Sequence, residues 1–127
     1  KALSEMEPAF DQMVKAGMQA ATIGQGGTAF QARHINPKLA LDRRIPFCAY
    51  SRETFESGAL VSYGPDNIES LHRSALYVDK ILKGENPGTI PVEQPTKFEL
   101  LINMKTAKAL GLEVPLHLRQ IANEVIE

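Results

Sequence analysis

A single cysteine, Cys48, stands in the chain, so no intramolecular disulfide can form and no disulfide framework holds the fold together. Placed in a short apolar run, that thiol reads as a small buried filler whose surroundings raise its pKa and quiet it. Tryptophan is absent and aromatics make up 6% of residues, too few for a base-stacking platform. Neither sign of charge dominates: 14 Lys and Arg face 15 Asp and Glu, a net charge of −1. This balance gives no electrostatic pull toward nucleic acid or an anionic membrane. No apolar run approaches the ~20 residues that cross a bilayer, so no direct membrane insertion is expected. No signal peptide stands within the chain, and a start at Lys1 rather than Met suggests a processed or truncated product.

What is present is one domain's worth of ordinary globular sequence: 127 residues, 43% hydrophobic. Short apolar runs alternate with amphipathic stretches, which predicts α/β architecture, a parallel sheet flanked by helices. Met6, Phe10, Met13 and Val14 make one stripe of a helix over 3–16, stopped by Gly17. The run 18–23 reads as a buried strand ahead of a glycine-rich turn. Thr28 then caps a helix to Arg44 with Phe30, Ile35 and Leu39 inward, and Pro37 interrupts it or starts its second half. Strands follow over 45–50 and 59–63, separated by a short helix with Ser51 as N-cap.

The spacing of Ile68, Leu71, Ala75, Val78 and Leu82 predicts a helix from Asp66 to Gly84, with Asp66 and Glu69 as a capping box. Residues 85–95 form an extended, proline-rich connector, 97–102 a strand with Phe98, Leu100 and Ile102 on one face. Asn103 caps a helix that stops at Gly111, and Pro115 precedes a last helix that runs to Val125. The division expected is an α/β part over 1–64, then a crossover helix, connector strand and C-terminal helices over 65–127, with no linker long enough to separate independent domains.

Three strand ends carry the polar residues that suit a ligand. Gly24-Gln25-Gly26-Gly27-Thr28-Ala29 matches the G-x-G-x-x-A dinucleotide fingerprint, whose small residues let backbone N–H groups approach a phosphate or carboxylate. Two features count against a nucleotide: a helix precedes the strand, and no acid ends the next one, which finishes Tyr50-Ser51-Arg52. The plainer reading is a tight βα connection, and between the two stands a turn that lines a cleft at the carboxyl ends of the strands. Ser51 and Arg52 suit an anionic or zwitterionic ligand, against a plain reading as helix cap and surface ion pair. Tyr63, ahead of Gly64-Pro65, can stack on or hydrogen-bond a ligand, or simply enter a turn. His34, His72 and His117 are scattered, without metal-ligand spacing, and no acid pair or G-x-S-x-G is set for catalysis. No catalytic residue, metal or cofactor is expected.

The C-terminal half carries a run of motifs in fixed order: Ser62-Tyr63-Gly64-Pro65-Asp66, then Tyr77-Val78-Asp79-Lys80-Ile81-Leu82-Lys83-Gly84, then Ile90-Pro91-Val92-Glu93-Gln94-Pro95-Thr96-Lys97-Phe98-Glu99-Leu100, then Lys105-Thr106-Ala107-Lys108-Ala109-Leu110-Gly111-Leu112. Together these resemble the ABC transporter substrate-binding protein family with tryptophan- and tyrosine-linked members. Arg43-Arg44-Ile45-Pro46 and Glu56-Ser57-Gly58-Ala59-Leu60 match more loosely. The resemblance implies a type I periplasmic-binding-protein-like fold, of which this chain would be the second lobe plus crossover strand and C-terminal helices. It implies a bacterial, periplasmic or extracytoplasmic solute-binding component, with an ABC permease as partner and an amino acid or other small solute held between lobes, released and captured by hinge closure. Carried onto this sequence, the ligand-binding positions are Gln25, Gly26, Thr28, Ser51, Arg52 and Tyr63. The turn 24–28 departs from the more polar or proline-containing form the resemblance leads one to expect, so ligand identity does not carry over. The helix from Asp66 would pack on a first lobe, and in its absence would expose Ile68, Leu71, Ala75 and Leu82, which predicts a homodimer or an exchanged helix. Two other classes remain: a nucleotide-binding α/β enzyme domain using Gly24–Ala29, and a structural fragment that binds nothing.

Overall fold

The structure, a computed structural model, describes residues 3–127. The chain divides into two compact units, Lys1–Gly64 with Glu99–Glu127, and Pro65–Phe98. A mostly parallel five-stranded sheet is flanked by helices.

Helix α1 (Met6–Lys15) follows a 3-10 turn and turns Phe10 into the core. Gly17 ends it at φ +68°, a left-handed conformation that costs glycine nothing. The apolar run after it gives only a two-residue strand, β1 (Ala21–Thr22), and Met18 lies exposed. β1 sits at the edge of the sheet with β2 (Phe47–Ala49) beside it, in the register Ala21↔Phe47 and Thr22↔Cys48. Cys48 is half-buried.

The single helix expected from Thr28 to Arg44 is two: α2 (Gly27–Gln31) and α3 (Asn36–Asp42). Pro37 explains the break. It has no N–H to continue a helix, and it sits in the first turn of α3, where none is needed. Phe30 and Ile35, expected inward, are exposed, while Ala32, Pro37 and Ala40 are buried. Thr28 does not cap α2; Gly26 is the N-cap and no side chain serves it. Arg43, just past α3, ties back to α1 through Asp11 at 2.7 Å and Glu7 at 3.4 Å.

After β2, Ser51 caps α4 (Arg52–Glu56), and β3 (Val61–Pro65) runs parallel to β2. β4 (Phe98–Asn103) runs against β3: Asn103 N–H donates to Leu60 O at 2.9 Å near one end, and Asp66 N–H to Lys97 O at 3.1 Å at the other. The alternation expected along β4 gives way at its end, where Leu101, Ile102 and Asn103 are all buried. α6 (Met104–Leu110) takes Asn103 as cap, its Oδ1 accepting from Thr106 N–H at 3.0 Å, and closes on Gly111 at φ +72°. The last helix, α7 (Leu116–Ile121), stops four residues short of Val125. The chain then forms β5 (Glu124–Ile126), parallel to β4.

Phe10, Ala40, Ile45, Phe47, Ala49, Phe55, Ala59 and Leu101 form the core, with the Phe10 and Phe47 rings 6.1 Å apart in a tilted pair. Full burial of a side chain such as Phe55 stabilises by about 1.5–3 kcal/mol. This core fixes the ends of β1, β2 and β3 relative to one another.

In the second unit, α5 (Asn67–Leu82) is capped by Asp66, whose carboxylate accepts from Ile68 N–H and Glu69 N–H at 3.0 and 3.1 Å. The reciprocal half of a capping box is not formed, because the Asp66 N–H is already given to Lys97 O. Residues 85–95 are irregular apart from a 3-10 turn at Pro87–Thr89. That segment is strapped to α5 by an Arg73–Glu93 ion pair and a Tyr77 hydroxyl donating to Pro91 O at 3.2 Å, and Lys97, just beyond it, pairs with the cap residue Asp66 at 2.8 Å. A groove of about 440 Å³ lies between them, lined by Arg73, Tyr77, Ile81, Ile90, Val92 and Pro95 among others. α5 buries no residue; Leu71 is 72% and Leu82 82% exposed. Among the described residues no helix is long and apolar enough to cross a membrane.

Candidate functional site

Parallel pairing of β1, β2 and β3 brings their carboxyl ends to one edge of the sheet. The register Thr22↔Cys48, Cys48↔Val61 and Ala49↔Ser62 sets the turn after β1, the turn after β2 and the last residues of β3 side by side. The six positions singled out in the sequence all fall on this edge. Gln25, Gly26 and Thr28 are exposed in the turn that opens α2. Gly24, Gly26 and Gly27 have a property in common: a Cβ built on any of them meets nothing within 4 Å, and none lies in the left-handed region of φ. Neither packing nor backbone conformation demands glycine there. Gly64 is the contrast, since its Cβ would lie 1.9 Å from Tyr50 O.

Ser51 is buried, its Oγ 3.1 Å from Thr54 Oγ1 and accepting from Thr54 N–H at 3.4 Å. Next to it, Arg52 is ringed by carboxylates: Glu124 at 2.6 Å, Glu99 at 3.3 Å and Glu56 at 3.9 Å. The Glu124 hydrogen bond, ahead of its charge and of Glu99, holds the guanidinium proton above the ordinary arginine value. Tyr63 lies within β3 with 61% of its surface exposed, between the buried Ser62 and Gly64. Because β4 runs against β3 and β5 runs with β4, Glu99 and Glu124 stand at this same edge. Reading the sequence alone missed both. They lie 47 and 72 residues from Arg52, and only strand order brings them there.

A second polar cluster sits elsewhere in this unit. Arg33, His34, Glu53, Glu56 and Ser57 line an open hollow of about 600 Å³. His34 Nδ1 is 2.7 Å from Ser57 Oγ, which suggests a serine activated by histidine. The hydroxyl proton of Ser57 is already given to Glu53 O at 2.9 Å, so the imidazole is the donor in the pair and not a base. The cluster stands as a hydrogen-bonded surface. Among the described residues, no group of three or more His, Cys, Asp or Glu is placed to hold a metal ion.

A family model described as ABC transporter substrate binding protein matches residues 1–126. A tyrosine-binding protein of Clostridioides difficile is 32% identical over 79 residues, 62% of this chain and 23% of that protein. Among solved structures, a conserved domain protein from Vibrio cholerae O1 biovar eltor superposes with a TM-score of 0.90 at 23% identity, covering 98% of this chain and 42% of that one. An ABC domain in complex with L-Trp from Streptococcus pneumonia gives a TM-score of 0.87 at 21% identity, covering 97% and 42%. At these identities the structures speak to fold alone. The chain spans less than half the length of each of these three proteins.

Proposed function

The chain belongs to the ABC transporter substrate-binding protein family, and from that premise we propose that it is part of the solute-binding component of an ABC-type uptake system. It works outside the cytoplasm and delivers a small solute to a membrane permease. The solute is of the amino-acid class, as the names of two relatives say of those proteins. The site on this chain is built from Gln25, Gly26, Thr28, Ser51, Arg52 and Tyr63, at the carboxyl edge of the sheet, facing a cleft completed by a second lobe. Binding and closure are the whole activity, and no bond chemistry is needed.

The observation that supports this most is the glycine turn after β1. Three glycines at positions where a side chain would meet open space leave room for a ligand to reach the backbone. A nucleotide reading draws less support, since α2 ends after five residues and the turn after β2 offers Ser51 and Arg52 rather than an acid for a ribose. The test is a thermal-shift screen with the twenty amino acids, ATP and NAD. Stabilisation by one or a few amino acids is expected. Stabilisation by a nucleotide alone would overturn the reading.

For the 127-residue chain we also propose self-association through α5. Ile68, Leu71, Ala75, Val78 and Leu82 recur at alternating spacings of three and four, the seam of a helix pair, and all are exposed. An antiparallel second copy would set the acidic first turn (Asp66, Glu69) against the basic last turn (Lys80, Lys83) of its partner. Light scattering at micromolar concentration reads this directly: a dimer is expected, and a monodisperse monomer overturns it.

A further inference from the structure

Arg52 offers five N–H donors in a fixed fork, and three carboxylates already surround it. A solute carboxylate approaching that guanidinium would displace Glu99 or Glu124 and meet the like charge of whichever remains. The positions of those two partners give the ion pairs another use. Arg52 immediately follows Ser51 in the turn after β2. Glu99 is the residue at which the chain re-enters the first unit after Pro65–Phe98. Glu124 opens β5, paired with Leu101 of β4. One side chain thus joins the solute-facing turn to the return point of the chain and to the far strand of the sheet.

We propose that Arg52 is a positioning residue for solute binding: by holding Glu99 and Glu124 it fixes the turn that presents Ser51, and it does not itself touch the solute. This rests on the solute-binding reading above. Lysine in its place would supply a point charge without a fork, and would not span both acids.

Two measurements on the wild type, Arg52→Gln, Glu99→Gln and the double variant separate the possibilities. The first is hydrogen exchange at the amides of Thr54 and Phe55, which donate to Ser51 Oγ and Ser51 O. The second is the affinity for L-tryptophan and L-tyrosine by calorimetry. Each single variant is expected to speed exchange at those two amides and to weaken the bound amino acid by roughly three- to thirty-fold. The double variant is expected to do no more than Arg52→Gln alone, since the Glu99 tie is already lost without Arg52. Arg52→Lys should fall short of restoring wild-type affinity. If Arg52→Gln abolishes binding while Glu99→Gln leaves affinity and exchange unchanged, Arg52 is a direct contact and the proposal is overturned. Unchanged exchange in both single variants overturns it as well. If the wild type binds neither amino acid yet the exchange pattern changes as expected, the tie stands and the solute reading is what fails.

Discussion

A Cβ added to Gly64 would lie 1.9 Å from the carbonyl oxygen of Tyr50. The two residues sit where β3 closes against the end of β2, one position after the exposed Tyr63. The obstacle is backbone and cannot swing aside. Gly64→Ala is therefore expected to cost about 3 kcal/mol, the upper range of an overpacked substitution, by urea denaturation. A midpoint unchanged from wild type would show that the strands part here without penalty.

Gly27→Ala reverses that pattern. The position lies in α2 with open space around it, so alanine is expected to be neutral or to stabilise by up to about 1 kcal/mol through the unfolded chain and helix propensity. Solute affinity should fall nonetheless, because the added methyl occupies the room at the turn. A variant that is less stable and binds as well as wild type would contradict the role given to this turn.

Asp66 makes the cap of α5 pH-sensitive. The Lys97 hydrogen bond, then the Glu69 backbone N–H, holds its carboxyl below the ordinary value. A folded-state pKa below the unfolded one means the unfolded chain binds the proton first as pH falls. The stabilisation is therefore fully present above the unfolded aspartate value, near ~3.9, and is lost as pH falls through the lower folded value. Helical circular dichroism from pH 6 to 2 should fall more steeply in wild type than in Asp66→Asn, which starts lower and runs flatter. Parallel curves would rule this out.

Asn123 fastens β5. Its Oδ1 accepts from Leu100 N–H at 2.8 Å, and its own N–H donates to Leu100 O at 2.8 Å. Asn123→Ala removes the first of these, at a cost of about 1 kcal/mol. Exchange of the Leu100 amide should rise, with little change at the Leu101 and Ile102 amides further along β4. Protection of Leu100 equal to wild type would show that the side chain is dispensable.

Local chemistry was legible where local residues decide the outcome. Asn103 and Gly111 bracket α6, Asp66 starts α5, and Ser51 starts α4, each through a cap that the sequence displays. β5 was not legible, because its apolar spacing from Leu116 to Val125 fits a helix and no proline or glycine breaks it. The strand exists because β4 offers a partner and Asn123 locks onto Leu100, 23 residues away. The break between α2 and α3 was half legible through Pro37, but the exposure of Phe30 and Ile35 was not, since a single helical stripe assumes one unbroken helix and the chain forms two. At the site, the turn residues could be found from strand ends. Glu99 and Glu124 could not, since their closeness to Arg52 depends on β4 running against β3.

A small solute is proposed to bind at the carboxyl edge of the sheet. The most direct test follows backbone amide shifts of the isotope-labelled protein during titration with L-tryptophan, L-tyrosine and ATP. Saturable shifts with an amino acid, concentrated at Gln25–Thr28, Ser51–Arg52 and Tyr63, are the predicted result. Shifts with ATP alone, or with an amino acid only at residues away from this edge, would contradict it.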